Sequence, residues 1–370
     1  MKLVANEFRK GDVTRILLAL LVWTAMAAAQ TQFPAFTSDR TSYVFRESDP
    51  IVFHLSTAGH YDWFVSDWQG QEVSSGTWEA PGALTLPDLP IGYYRLRLRG
   101  SAGFLPFARI SSVVRPDGSP YAADSAGGSE QIVTLEELAG LRIVRGRFQW
   151  DSIQPKPGGE FQWSAADASV ELWRQHGIKV LGVFHDAPEW TKQASVSLPT
   201  DLMALYRFCR ELAVHFKGRV PAWEFWNEED LNVFNRDAAW DYAAAQKAAY
   251  LGFKAGDPSV KVLNGANAFA MPHGAFMDTV FLNGVEDYFD IYNFHVYLPV
   301  EGVAGRATHN LGMLARHGMH KPFYVTEIGL VGEGDGRGQP VQAGSDRLEH
   351  DEEQERAQVE HLVKSQVIVR

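Results

Sequence analysis

From about residue 121 onward the sequence alternates short apolar runs with longer segments of helical periodicity, and this alternation restricts the fold more than any other feature. Candidate strands lie at 121–124, 141–148, 179–184, 222–226, 260–264, 291–295 and 323–326; candidate helices lie at 129–139, 164–176, 202–216, 238–255, 275–283, 307–316 and 352–369. Strands alternating with amphipathic helices demand an α/β fold with a parallel sheet covered by helices. Consecutive units with polar residues at the strand ends suit a (β/α)8 TIM barrel. Seven βα units are visible and the eighth is missing, so the barrel expected at 117–370 is C-terminally incomplete, with two unpaired edges. Ser164-Ala165-Ala166-Asp167 has the pattern of a capping box opening the second helix.

The preceding segment, 30–116, has a different rhythm. In Tyr94-Arg95-Leu96-Arg97-Leu98-Arg99 the leucines share one face and the arginines the other, the period of a half-buried strand. Similar runs at 51–56, 61–67 and 107–114, punctuated at Ala58-Gly59-His60 and Leu89-Pro90-Ile91-Gly92, predict a small all-β sandwich. Its Trp63, Trp68 and Trp78 suit a sandwich core or a sugar-stacking face.

Residues 1–29 have the form of a cleavable signal peptide. Lys2, Arg9, Lys10 and Arg15 precede an apolar run from Ile16 to Met26, and Ala27-Ala28-Ala29 supplies small residues for cleavage. The run is shorter than the ~20 residues of a membrane-spanning helix. A secreted or periplasmic protein without stable membrane insertion is expected. Its net charge of −11 repels polyphosphate, which excludes nucleic acid as the expected partner. The single cysteine, Cys209, rules out an internal disulfide and any zinc site of several thiolates.

In a barrel of this kind chemistry sits at the C-terminal ends of strands. The fourth strand runs into Trp223-Glu224-Phe225-Trp226-Asn227-Glu228-Glu229-Asp230, and the seventh into Tyr324-Val325-Thr326-Glu327-Ile328-Gly329. Two carboxyls converging on one pocket are what glycoside cleavage needs: a proton donor for the leaving oxygen and a group opposing it at the anomeric carbon. This chemistry requires no cofactor.

These two motifs resemble those of clan A glycoside hydrolases, the retaining β-glycosidase barrels, and most closely family 39 and its family 5-like relatives. By that resemblance Glu228 is the acid/base, Glu327 the nucleophile and Asn227 the partner of the sugar 2-hydroxyl. An arginine of the second strand orients the nucleophile; spacing to Trp150 favours Arg145, with Arg147 as the alternative. Asn293-Phe294-His295-Val296-Tyr297 is similar to the family's His-x-Tyr segment. Tyr297 then hydrogen-bonds the nucleophile, and His295 the sugar or the acid/base. Phe184-His185-Asp186-Ala187-Pro188-Glu189-Trp190 resembles an aromatic loop of the family, making His185, Asp186 and Trp190 candidate sugar contacts. Trp226 is suited equally to stacking on sugar or to the core, and Glu224 to a structural role. Glu229 stands where relatives carry proline, and its charge is expected to raise the pKa of Glu228. Leu330 replaces an aromatic.

The resemblance implies a secreted glycoside hydrolase acting on a poly- or oligosaccharide by double displacement. Two other classes remain open in the sequence. One is a non-catalytic carbohydrate-binding protein on the same barrel. The other is a metal-dependent hydrolase using His185, Asp186, Glu228 and His295, which lacks a His-x-His pair on the first strand. The Gly-rich stretch 332–344 reads as a solvated loop.

Overall fold

The computed structural model describes residues 35–101, 103–112, 122–125, 129–268, 275–329 and 352–368. The expected leader, Leu330 and the 332–344 loop lie outside them. The chain divides into two compact units, 1–115 and 116–370.

Apart from one 3-10 turn, the regular structure among the first unit's described residues is β: β1 (Phe36–Thr37), β2 (Val44–Arg46), β3 (Val52–Asp67), β4 (Glu72–Thr85), β5 (Gly92–Leu98) and β6 (Leu105–Ile110). They form one six-stranded sheet, ordered β1-β3-β5-β6-β2 with β4 on β3. The sheet encloses a core of Phe45, Phe53, Val65, Leu96 and Phe107 in sandwich-like fashion. Ala58-Gly59-His60 is not a turn. The runs on either side of it join into the 16-residue β3, and the glycine instead marks a register irregularity between Leu55 and Gly59. The partner strand β4 was not legible, because its Ser, Gly and Pro residues break any alternation. Trp63 and Trp78 are buried core residues, while Trp68 lies edge-on to Tyr93.

The second unit carries seven parallel strands among the described residues: β7 (Ala122–Ser125), β8 (Ile143–Arg147), β9 (Lys179–Phe184), β10 (Ala222–Phe225), β11 (Lys261–Leu263), β12 (Tyr292–Val296) and β13 (Phe323–Ile328). Strands β7 to β11 form one sheet in sequence order, and β12 pairs with β13. Bridges Leu263–Ile291 and Asn267–Phe294 join the two sheets. The barrel is not strictly closed: among the described residues β7 and β13 share no ladder. The interleaved helices are α1 (Glu130–Leu138), α2 (Trp150–Ile153), α3 (Ser164–Gln175), α4 (Leu202–His215), α5 (Ala239–Gly256), α6 (Ala275–Leu282), α7 (Val300–Arg316) and α8 (Glu352–Ile368). The capping box does not form. Ser164 is the first helical residue of α3, and Asp167 instead binds Arg219 at 2.6 Å and His215 at 2.9 Å.

Strand alternation sorts the side chains. Val144, Val180, Trp223 and Val262 face outward into the helical layer. Ile143, Leu181, Ala222, Leu263 and Ile291 meet inside as an apolar floor. Gly182 permits this layering, since a Cβ there would overlap the Trp223 indole. Two residues beyond the floor, on the same face, stand Arg145 and Glu224.

Candidate active site

Arg145 is the hub of the polar layer. Its guanidinium is buried, and each nitrogen is used: Nε and Nη2 grip Glu224 at 3.1 and 2.6 Å, Nη2 also donates to Asn227 Oδ1 at 2.7 Å, and Nη1 reaches Glu327 Oε1 at 2.5 Å. Asp124, at the end of β7, takes a further contact at 3.2 Å. Burial disfavours the charge of Arg145, but Glu224, then Glu327 and Asp124, overcome it and raise the pKa further. Arg147 forks onto Asp124 at 2.8 and 2.9 Å and stands 3.6 Å from Glu327. Of the two candidates, Arg145 makes the direct contact.

The end of β10 is turned by its backbone. Trp226 and Glu228 take left-handed φ values of 74° and 46°, costly for side chains of this size, and they bracket Asn227. The indole of Trp226 is buried and donates to Phe234 O at 3.0 Å. It therefore anchors the kink from the core and offers no face to a sugar. Glu228 is directed at His295, with Oε1 2.9 Å from Nδ1, and the same nitrogen lies 3.6 Å from Glu327 Oε2. Tyr297 donates to Glu327 Oε2 at 2.6 Å. Glu228, His295 and Glu327 thus bring one donor or acceptor atom each within 4.8 Å of one another.

Glu327 already receives a guanidinium on one oxygen and a hydroxyl on the other, and a divalent cation seated there would face the charge of Arg145. The donor set suits a hydrogen-bonded cluster better than a cation site. Asp186 is turned elsewhere: its carboxylate caps α2, accepting from the backbone N–H groups of Trp150 and Asp151 at 3.1 and 3.4 Å.

Burial governs the titration of the cluster. It raises the pKa of Glu228, against the opposing pull of Arg145. It lowers His295 to about 4, despite Glu327 and Glu224, so the ring is neutral at neutral pH. His185 is lowered to about 4 by burial and by the nearby Arg147 and Arg145; it borders the cluster, edge-on to Phe234. Trp190 rests edge-on against core Trp150, and no described ring contact or hydrogen bond ties it to the glutamates. The expected charge on Glu229 needs correction. Its carboxyl is fully buried, neither oxygen has a well-formed hydrogen bond among the described residues, and desolvation, followed by Asp230, drives its pKa far upward against its own backbone N–H. The upward shift of Glu228 comes from burial, and Glu229 is not among its causes.

Six expected residues therefore meet: Glu228, Glu327, Asn227, Arg145, His295 and Tyr297. Sequence reasoning did not give Asp124 or Thr326 a place here, and left Glu224 structural. The signal for Asp124 was available, as an acidic residue at the end of the first strand.

Residues 133–255 match the family described as Glycosyl hydrolase family 10. The chain is similar to endo-1,4-beta-xylanase A of Phanerodontia chrysosporium, with 27% identity over 144 residues, 36% of this chain and 34% of that one. It is 32% identical to beta-1,4-xylanase of Dictyoglomus thermophilum over 101 residues, 25% of this chain and 28% of that one. The chain thus spans about a third of the length of the curated relatives it matches. In fold it resembles a family 39 glycoside hydrolase from the gut symbiont Bacteroides cellulosilyticus WH2, with a TM-score of 0.64, 18% identity, and coverage of 89% of this chain and 71% of that one. The matched segment is thus similar to a glycoside hydrolase family, and the fold of the chain is similar to that of a family 39 glycoside hydrolase.

Proposed function

We propose that this protein is an exported retaining β-glycosidase that hydrolyses O-glycosidic bonds of a poly- or oligosaccharide. The observation that carries the reading is the approach of Glu228 and Glu327, which bring one carboxyl oxygen each within 4.8 Å of the other beside a shared His295. Retaining enzymes hold their two carboxyl groups about 5 to 5.5 Å apart, whereas inverting ones leave about 6.5 to 9.5 Å for a water.

Glu228, protonated in its buried setting, donates to the leaving oxygen while Glu327 attacks the anomeric carbon. The glycosyl–enzyme ester that forms is then hydrolysed by a water that Glu228, now a carboxylate, deprotonates. Arg145 and Tyr297 hold the Glu327 carboxylate for in-line attack. Asn227 has its oxygen committed to Arg145, which leaves its amide nitrogen to donate to the sugar 2-hydroxyl. His185 and Trp190 are proposed sugar contacts at the rim. The matched relatives are named as xylanases, so a β-1,4-linked xylose polymer is the first substrate to test. Residues 1–29 are proposed to direct export, and no described helix is long and apolar enough to cross a membrane.

The test is product analysis by NMR on a panel of β-linked polysaccharides, beginning with xylan. Release of the β-anomer first, abolished in Glu327→Gln, is expected. Initial release of the α-anomer from a β-linked substrate, or equal turnover by Glu327→Gln, would sink the mechanism.

A further inference from the structure

Asn293 and Thr326 take no part in the steps above, yet they close a hydrogen-bond chain that ends on Glu228. Asn293 and His295 are alternate, fully buried residues of β12, and Thr326 is the residue of β13 immediately before Glu327. Glu228 Oε1 lies 2.9 Å from His295 Nδ1; His295 Nε2 lies 3.1 Å from Thr326 Oγ1; Thr326 Oγ1 donates to Asn293 Oδ1 at 3.0 Å.

With Asn293 Oδ1 turned toward Thr326, an orientation that leaves its buried Nδ2 without a hydrogen-bond partner among the described residues, counting protons gives this chain its direction. An amide oxygen only accepts, so the single hydroxyl hydrogen of Thr326 is committed to Asn293. The Thr326 oxygen is then left to accept from the ring, which requires hydrogen on Nε2. The ring is neutral, so its other nitrogen is bare. A bare Nδ1 at 2.9 Å can only accept, and the group facing it is the Glu228 carboxyl. The charged groups around the ring are Arg145 from β8, Glu224 from β10, Glu327 from β13 and Asp124 from β7. The backbone of Asn293 is itself pinned, its N–H donating to Asn264 Oδ1 at 2.7 Å and its C=O accepting from Asn264 Nδ2 at 3.0 Å.

We propose that Thr326 and Asn293 are positioning residues that fix His295 as the Nε2–H tautomer, so that its bare Nδ1 holds Glu228 in the protonated, proton-donating form before substrate is cleaved. The catalytic consequence rests on the glycosidase reading; the tautomer does not. The reverse chain, with the Asn293 amide turned, Thr326 donating to Nε2 and Nδ1–H donating to a Glu228 carboxylate, is the arrangement the proposal excludes.

The direct test is nitrogen NMR of the full chain with labelled histidine at neutral pH, the His295 signals being assigned by their loss in His295→Gln. A neutral ring with protonated Nε2 and bare Nδ1 is expected in the parent. Thr326→Val should lose this single tautomer, and Thr326→Ser should keep it. Nδ1–H in the parent, or an unchanged tautomer in Thr326→Val, overturns the proposal. The parent spectrum decides the tautomer even if the valine variant fails to fold.

Kinetics with 4-nitrophenyl and 2,4-dinitrophenyl β-xylosides supply the second readout. Thr326→Val should lower kcat about tenfold on the first substrate, which needs more protonation, and less on the second, with KM little changed. The alkaline limb of its kcat/KM profile should move to lower pH, and Thr326→Ser should restore it. Equal losses on both substrates with an unmoved profile would reduce Thr326 to a packing residue. An inactive parent that shows the expected tautomer would count against the function and for the hydrogen-bond chain.

Discussion

Arg145 Nη1 sits 2.5 Å from Glu327 Oε1, in a guanidinium that Glu224 clamps from the opposite edge. The geometry uses the planar fork of arginine, which lysine lacks. Arg145→Lys can keep one charge in the cluster but cannot satisfy Glu224, Asn227 and Glu327 together. We expect kcat/KM on aryl β-glycosides to fall about 100-fold or more, a loss in the range found when one preorganised donor is removed from a charged site. Arg145→Ala leaves Glu224 buried and unpaired, so urea unfolding should show a loss of about 3–5 kcal/mol. Near-parental activity in the lysine variant would show that charge alone suffices.

Tyr297 approaches Glu327 from the other oxygen, donating at 2.6 Å. Burial comes first, and the Glu327 contact next, among the causes that raise its pKa, so the hydroxyl keeps its proton and stays a donor at any working pH. Tyr297→Phe removes only that donor. Stability should change little, because the side chain is 46% exposed. With the nucleophile less well held, kcat should fall about 10- to 100-fold and KM much less. A variant with parental kcat would mean that Arg145 alone positions Glu327.

The barrel was legible because its information is local: alternating strand and helix periods show in windows of about ten residues, and the strand ends follow from where apolar runs stop. The same rule located Glu228 and Glu327. What failed was information held in partners distant along the chain. The role of Asp167 as an ion-pair partner of Arg219 and His215, not a cap, depends on residues about 50 positions later, at and just beyond the end of α4. Glu229 reads as a charge beside a charge, and only three-dimensional enclosure shows that burial drives its pKa upward. Thr326 looks like a strand residue by propensity, and its part in the cluster needs the register of β13 against β12.

His176 joins α1 to α3, with Nδ1 2.7 Å from Glu137 and Nε2 3.1 Å from Glu130. The hydrogen bond to Glu137 leads the causes that raise its pKa, with burial opposing and Glu130 adding. A histidine whose folded pKa is raised contributes stability that is fully present below about pH 6.5, its unfolded value, and lost as pH rises through the folded value. His176→Gln should therefore lower Tm relative to the parent at pH 5.5 and have little effect at pH 9. Equal shifts at both pH values would mean that the bridge contributes only neutral hydrogen bonds.

Glu229 gives the opposite design. Its side chain is fully buried, with no well-formed hydrogen bond to either oxygen among the described residues, and a Cβ added at Gly265 would stand only 2.6 Å from Oε2. Gly265 therefore makes room for this carboxyl. Burial raises the folded-state pKa of Glu229 well above the ordinary value of 4.5, around which the unfolded chain ionises it. For a raised folded pKa the contribution to stability is complete below that unfolded value and is lost as pH climbs toward the folded one. The loss accrues at about 1.4 kcal/mol per pH unit over that window. Glu229→Gln has the shape of the neutral acid and does not titrate. Its Tm should match the parent near pH 4 and exceed it increasingly from pH 5 to pH 8. The kcat/KM profile should keep its alkaline limb, since Glu229 is not among the causes that shift the pKa of Glu228. If the glutamine variant instead becomes relatively less stable as pH rises, Glu229 is ionised in the fold and has a cationic partner.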